Sequence, residues 1–120
     1  MSIITLTQHN FDEVIQNNDV VVVDFWAKWC GPCLAFSPVF EQISKHHEDV
    51  IFAKVDIDAE IALANDFNIR SIPFLMIFRR EFAVFAEAGV QTATALDALV
   101  NDAKKIDLAK LRAQLQNEEE

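Results

Sequence analysis

The chain alternates between two kinds of hydrophobic segment. Continuous β-branched runs, typical of strands buried on both faces, occupy residues 20–25 and 50–56. Apolar residues at helical spacing follow each of these runs and also precede the first one. The pattern predicts strands over 3–6, 20–25, 50–56, 74–78 and 82–86, and helices from Asn10, over 33–47, over 59–67 and from Thr92.

This order of elements predicts the fold class. Alternating strands and helices form a parallel sheet with helices on both faces. The last two predicted strands are too close in sequence for a crossover, so they should pair antiparallel around a tight turn at Arg79 and Arg80. We therefore expect an α/β fold: a single mixed β-sheet of about five strands, with a mostly parallel core, an antiparallel C-terminal hairpin and about four flanking helices.

Composition excludes several classes of protein. The 120 residues are 52% hydrophobic, which suits one packed domain rather than a disordered chain. The net charge of −9 argues against a nucleic-acid partner, and the two glycines cannot form a dinucleotide-binding or phosphate-binding loop. Neither a secretory signal nor a membrane span is visible, so we expect a cytoplasmic protein without membrane attachment.

The only two cysteines, Cys30 and Cys33, lie three positions apart in the stretch W-C-G-P-C. One interpretation is a zinc site that includes His46, but His47 is adjacent where a fourth ligand should lie further along the chain, so we expect no metal site. We expect both histidines to be solvated near a helix C-terminus. A second interpretation, a pair of inert buried thiols, explains neither the spacing nor the Gly-Pro turn.

A redox function explains the same stretch. The strand that ends at Phe25 delivers the chain to the carboxyl edge of the sheet, where open α/β proteins place their sites. Cys30 then lies at a helix start, where unpaired N–H groups and the helix dipole stabilise a thiolate. The two intervening residues allow Cys33 to close a small disulfide ring, and Pro32 suits the first helical turn.

The stretch V-V-V-D-F-W-A-K-W-C-G-P-C resembles the active-site segment of the thioredoxin family, for which C-x-x-C is a recognised redox signature. The likeness extends to A-K-V-D-I-D at 53–58, to R-S-I-P-F at 70–74 and to Gly89, and it covers residues 3–103. It implies a thioredoxin fold and a monomeric protein-disulfide reductase without a bound cofactor. Electrons would come from NADPH through the FAD of a partner, thioredoxin reductase.

The resemblance also implies catalytic roles. Cys30 would attack the disulfide of a protein substrate, and Cys33 would resolve the mixed disulfide. Asp24 would lie beneath Cys33 and assist its deprotonation, and Lys54 would pair with Asp24 directly or through solvent. Independently of the resemblance, an Asp within a buried strand is costly unless it has a partner or a task. Asp24 could also be a satisfied structural carboxylate, and Lys54 could extend to the surface.

Further residues would form the substrate-binding surface. Pro73 matches the cis-proline of the family, beside which extended substrate would dock. A flat apolar surface around Cys30 would comprise Trp29, Gly31, Pro32, Ile72 and Gly89.

Three residues depart from the family pattern. Leu34 stands where Lys or Arg is common, Phe74 where Thr is usual, and Glu81 where the hairpin usually has Gly. A turn at Glu81 must therefore avoid positive φ or bear strain. Since these changes make the substrate surface more apolar, two alternatives stay open: a dedicated reductase for a single partner, and a thioredoxin-fold binding or holdase module.

We expect residues 1–105 to form the domain and residues 106–120 to form a helical, acidic C-terminal extension rather than a second domain. Leu108, Leu111 and Leu115 form a new apolar stripe in the extension. Asp107 could cap a separate final helix there, after Ile106. The stripe either docks on the domain or belongs to a frayed end, and the sequence does not decide between the two.

Overall fold

The computed structural model describes residues 3–119, within which five strands and five helices follow one another. In chain order they are β1 (Ile4–Thr5), α1 (Phe11–Asn17), β2 (Val20–Trp26), α2 (Gly31–His46), β3 (Ile51–Asp56), α3 (Ile61–Asp66), β4 (Phe74–Arg79), β5 (Phe82–Ala88), α4 (Ala93–Lys105) and α5 (Leu108–Glu119). Every predicted element is present within a few residues of its expected bounds. The fifth helix lies in the C-terminal extension.

The strands form one mixed sheet in the order β1-β3-β2-β4-β5, which confirms the predicted fold class. β3 runs parallel to β1 and to β2, whereas β4 is antiparallel to both β2 and β5. Antiparallel pairing is thus not confined to the β4–β5 hairpin, because it also joins β2 to β4. The reason is the length of α3: six helical residues span about 9 Å, which is too short to carry the chain back along a strand of about 20 Å. The chain therefore enters β4 from the carboxyl edge of β3.

The sheet separates two apolar cores. On one face, Val22 of β2 packs with side chains of α2 and α4 such as Phe40 and Leu96. On the other face, Val21 and Val23 pack with residues of α1 and α3. Successive residues of a strand point to opposite faces, so the alternation within β2 directs Asp24 toward the α2 side.

The hairpin between β4 and β5 turns at Arg80 and Glu81, one position later than predicted. Arg80 adopts a φ of 56°, in the left-handed region, so it is Arg80 rather than Glu81 that takes the strained backbone conformation. A register shift follows in the ladder: Ile77 pairs with Phe85, but Phe78 pairs with Ala83. The extra residue makes β5 a bulged strand.

The prediction for the two adjacent histidines is wrong for one of them. His46 is exposed, but His47 is only 4% exposed. Its Nε2 lies 2.7 Å from Asp97 Oδ1 on α4, and its ring stacks on that of Phe52. α2 ends at His46, so the backbone leaves helical geometry and turns the next side chain inward.

The C-terminal helix docks on the hairpin. Asp107 Oδ1 accepts a hydrogen bond from the Lys110 N–H at 3.1 Å and so caps α5. Arg112 Nη2 donates to Glu81 Oε1 at 3.3 Å, while Leu115 and Phe82 line one cavity of about 270 Å³. All three leucines of the stripe are half-buried, which favours the docked version over the frayed one. The division of the chain at residue 105 stays a prediction, and its residues 1, 2 and 120 lie outside the described part.

Candidate active site

The candidate site lies at the carboxyl edge of the sheet, between β2 and α2. β2 ends at Trp26, and Cys30 is the N-cap residue of α2 with an extended backbone (φ −92°, ψ 107°). Pro32 occupies the first turn of the helix, where its missing N–H removes no helical hydrogen bond. Gly31 and Pro32 are both exposed, so the turn that separates the cysteines faces solvent.

Cys30 and Cys33 form a disulfide with a Cα–Cα distance of 5.2 Å. The backbone N–H of Cys33 donates to Cys30 Sγ at 3.1 Å. Cys30 is 5% exposed and Cys33 is 2% exposed. Cys30 is the more exposed of the two, but it is far less open than a residue at a free helix end, because the polypeptide near Ile72 covers it. After reduction, the same N–H and the dipole of α2 would stabilise a thiolate at Cys30.

The covering segment contains the predicted cis-proline. The bond between Ile72 and Pro73 is cis, and the Ile72 carbonyl oxygen lies 3.8 Å from Cys30 Sγ. The N–H of Gly89 donates to the Pro73 carbonyl oxygen at 2.8 Å, which ties the end of β5 to this segment. Gly89 has a φ of 110°, where a side chain is strongly disfavoured. Residues distant in sequence are thus held beside the disulfide.

Trp29 is 67% exposed, yet its indole is held in place. Nε1 donates to Asp58 Oδ2 at 2.8 Å. Asp58 was not predicted as a site residue. The sequence could have indicated Asp58 by its position just after β3, because the carboxyl ends of the parallel strands β2 and β3 lie at the same edge of the sheet.

An apolar rim surrounds this edge. The exposed large hydrophobic residues of the described chain all lie where an element begins or ends at the carboxyl edge: Trp29, Leu34, Ile61 and Val90. Leu34 is 52% exposed in the first turn of α2, so this departure from the family pattern does reach the surface. Phe74 is half-buried, and Glu81 lies at the far end of the hairpin, away from the disulfide. Sequence reasoning did not identify Ile61 or Val90 as site residues, because Ile61 begins the apolar stretch I-A-L-A of the helix predicted over 59–67 and Val90 lies outside every predicted element.

Asp24 lies in β2, two residues before the strand ends at Trp26, and is 1% exposed. Within residues 3–119 no protein group donates a hydrogen bond to either of its carboxylate oxygens. Burial raises the pKa of this carboxyl from 3.8 to about 7, although the positive charge of Lys54 opposes the shift. A group with a pKa near neutrality can both accept and release a proton at physiological pH.

Lys54 is opposite Asp24 in the register of β2 and β3. Its amine nevertheless donates to Ser37 Oγ on α2 at 2.6 Å, and it lies 5.5 Å from the centre of the Trp26 ring. The predicted pairing with Asp24 is therefore not a direct one in this disulfide-bonded state. Ser37 was not predicted either, since only its position four residues after Cys33 connects it with the site.

The described residues contain no cluster of three or more His, Cys, Asp or Glu side chains that could hold a metal ion. Nor does any helix within residues 3–119 have the length and hydrophobicity needed to cross a membrane.

Comparisons with known proteins agree on one family. The sequence model of the thioredoxin family matches residues 2–105. A Streptomyces coelicolor relative of the thioredoxin type is 44% identical over 92% of this chain and 83% of its own, and a thioredoxin of Alicyclobacillus acidocaldarius is 40% identical over 82% and 94%. Among solved structures, a thioredoxin variant from Halobacterium salinarum superposes with a TM-score of 0.80 at 34% identity, covering 87% of this chain and 92% of its own. The thioredoxin of Plasmodium falciparum gives 0.77 at 34% identity, covering 83% and 98%.

Proposed function

The chain belongs to the thioredoxin family, and from this premise we propose that it is a general protein-disulfide reductase recycled by thioredoxin reductase. Its activity as a thiol-disulfide oxidoreductase on protein disulfides follows from the family and from a cysteine pair at disulfide distance. One observation carries the assignment of roles: the Cys33 N–H points at Cys30 Sγ at the N-terminus of α2.

In the proposed reaction the reduced protein starts with a Cys30 thiolate. This thiolate attacks one sulfur of a substrate disulfide; a mixed disulfide forms and the other substrate sulfur leaves as a thiolate. Cys33 then loses its proton and attacks Cys30 Sγ. The Cys30–Cys33 disulfide forms and the second substrate thiolate leaves, so two electrons pass from the protein to the substrate.

Asp24 is the proposed acceptor of the Cys33 proton. It is fully buried, it faces α2, and it has a pKa near the pH at which the reaction must run. Lys54 would modulate its charge from the neighbouring strand. In this role Asp24→Asn slows the resolution of the mixed disulfide at neutral pH.

The proposed substrate-binding surface comprises the exposed turn and the cis-proline segment. Trp29, Gly31 and Pro32 present an open face, and the carbonyl of Ile72 borders Cys30. An extended substrate backbone could donate hydrogen bonds to this segment, as strand-like peptides do on exposed backbone. Pro73 and Gly89 would hold the segment in place.

The proposal includes the surroundings of the reaction. Thioredoxin reductase would return the disulfide to the dithiol with electrons from NADPH through FAD, so the protein itself needs no bound cofactor. A monomer in the cytoplasm fits this cycle, since a reductase needs a compartment that keeps its dithiol reduced.

NADPH consumption with a bacterial thioredoxin reductase and a disulfide-containing protein substrate tests the cycle. The wild-type protein should sustain turnover, whereas Cys30→Ser and Cys33→Ser should not. In a single round, Cys33→Ser should accumulate a covalent mixed disulfide with the substrate, and Cys30→Ser should accumulate none. Turnover by Cys30→Ser, or trapping by that variant alone, would contradict the assigned roles.

A dedicated reductase for one partner is the second candidate function, because Leu34 exposes an apolar side chain where the family commonly has a basic one. Leu34→Lys should then broaden the range of substrates and raise kcat/KM for unrelated protein disulfides. Equal kcat/KM values of the wild type and the variant across a panel of substrates would favour the general reductase.

A further inference from the structure

The amine of Lys54 has several possible partners and contacts one of them. It lines a cavity of about 370 Å³ that also includes Glu41, Asp56 and Trp26. It stands opposite the buried Asp24 on the neighbouring strand. Its hydrogen bond nevertheless goes to a neutral hydroxyl, Ser37 Oγ, at 2.6 Å.

Ser37 lies where it can influence both the amine and the reacting thiol. It is four residues after Cys33, which places it one helical turn further along the same face of α2. That face packs on the sheet, and Asp24 and Lys54 point toward it from β2 and β3. The hydroxyl of Ser37 is therefore a fixed acceptor between the helix and the two charged residues of the sheet.

Aromatic rings support the same position of the amine. Lys54 Nζ is 5.5 Å from the centre of the Trp26 ring and 6.0 Å from that of Phe40, both within the range of cation–π attraction. These contacts and the hydroxyl together keep the side chain on the helix side of the cavity. Neither Asp24 oxygen receives a hydrogen bond from a protein group of the described chain, so the amine does not contact the carboxyl.

We propose that Ser37 is a positioning residue for the disulfide exchange: its hydroxyl anchors the Lys54 amine on α2 and thereby keeps it out of direct contact with Asp24. The consequence for catalysis rests on the role proposed above for Asp24. A direct ion pair favours the charged form of a carboxyl and lowers its pKa by about 1–3 units. Ser37 therefore keeps the pKa of Asp24 close to neutrality, where the carboxyl can exchange a proton with Cys33.

The charged groups near the amine define what its release would do. Glu41 comes from α2, Asp56 from the end of β3, and Asp24 from β2; each could accept the amine once the hydroxyl is gone. A new contact of the amine with Glu41 or Asp56 would leave the pKa of Asp24 little changed, since both of these carboxylates reach solvent through the open cavity. A new contact with Asp24 itself would lower that pKa strongly.

The decisive measurement is the carboxyl ¹³C titration of Asp24 in the oxidised protein, for wild type, Ser37→Ala, Ser37→Thr, Lys54→Met and the double variant Ser37→Ala with Lys54→Met. The wild-type midpoint should lie near 7. Ser37→Ala should lower it by about one unit or more. Ser37→Thr keeps the hydroxyl and should leave it unchanged. In the Lys54→Met background, Ser37→Ala should produce no further shift, because the effect requires the amine.

Three results would overturn the proposal: an unchanged midpoint in Ser37→Ala, a shift of equal size in Ser37→Thr, or a shift that persists without Lys54. The titration uses no substrate and no reductase, so it is independent of turnover. A lowered midpoint in Ser37→Ala combined with full activity of Asp24→Asn would uphold the position of Lys54 and would refute the catalytic role of Asp24. If both proposals hold, the midpoint of the pH–rate profile of mixed-disulfide resolution should shift to lower pH in Ser37→Ala, by the same amount as the Asp24 titration.

Discussion

Replacement of Asp24 by Asn should stabilise the fold at neutral pH and have little effect in acid. The carboxyl titrates near 3.8 when solvated but near 7 in the fold, because burial disfavours its charged form. As pH rises above about 4, the unfolded chain releases this proton and the folded chain retains it. The unfolded state is thereby favoured increasingly until pH passes about 7, above which the difference stays constant.

The size of the effect follows from the two pKa values. A difference of about three units corresponds to about 4 kcal/mol at 1.36 kcal/mol per unit. This is a large fraction of the 5–15 kcal/mol by which domains are typically stable. A buried amide without a partner costs about 1–3 kcal/mol, as does the protonated carboxyl of Asp24, whose oxygens also lack a protein partner. That cost is independent of pH, so it cancels when the variant is compared with the wild type at two pH values.

Urea denaturation of the oxidised protein between about pH 4 and pH 8 measures the difference. The gain in unfolding free energy of Asp24→Asn over wild type should increase by a few kcal/mol across this range. Asp102→Asn, at an exposed position of α4, controls for the removal of one negative charge from an acidic chain. A gain that does not change with pH, or one that the control reproduces, would refute the reasoning from burial.

Three further outcomes are expected. Gly89→Ala should lower the unfolding free energy by about 1 kcal/mol or more, because Gly89 has a φ of 110°, although a Cβ there would meet no atom. Gly31 is equally open but has an ordinary φ, so Gly31→Ala should cost little. Equal costs of the two variants would contradict the argument from backbone strain. Truncation after Lys105 removes the half-buried leucines of α5, so it should lower the unfolding free energy by about 1 kcal/mol. Disulfide reduction per folded molecule should stay intact. An unchanged melting temperature would show that α5 has no structural role. In the reduced protein, alkylation near neutral pH should label Cys30 first, with a thiol pKa below about 8.5, and faster labelling of Cys33 would reverse the two roles.

Local sequence patterns predicted the parts of the fold that depend on them. The buried run before Phe25 identified β2, and the turn W-C-G-P-C identified the start of α2, because a strand, a tight turn and a capped helix each leave a signal within a few residues. The resemblance added the cis bond at Pro73 and the place of Gly89 beside it. Ile72 reaches Cys30, and Gly89 reaches Pro73, only through long-range packing.

The sequence could not reveal contacts that depend on how elements meet in space. The inward turn of His47 toward Asp97 joins the end of α2 to α4, and no local pattern encodes that crossing. Lys54 lies opposite Asp24 in the sheet but bonds to Ser37, because its long side chain reaches a helix whose distance only the packed structure defines. The antiparallel entry of β4 depended on the short length of α3, which the predicted span of 59–67 overstated by several residues.

The outer strands of the sheet also affect how copies of this protein behave when crowded together. An unpaired strand edge can recruit the same edge of another molecule, and such pairing begins many aggregates. Here one edge is β1, which has two residues and offers almost no length for pairing. The other edge, β5, is longer, but the bulge opposite Ile77 and Phe78 bends it, and Glu87 adds a charge near its end. Both borders of the sheet thus resist the addition of a foreign strand, so the apolar rim can stay exposed at the carboxyl edge without strand pairing between copies.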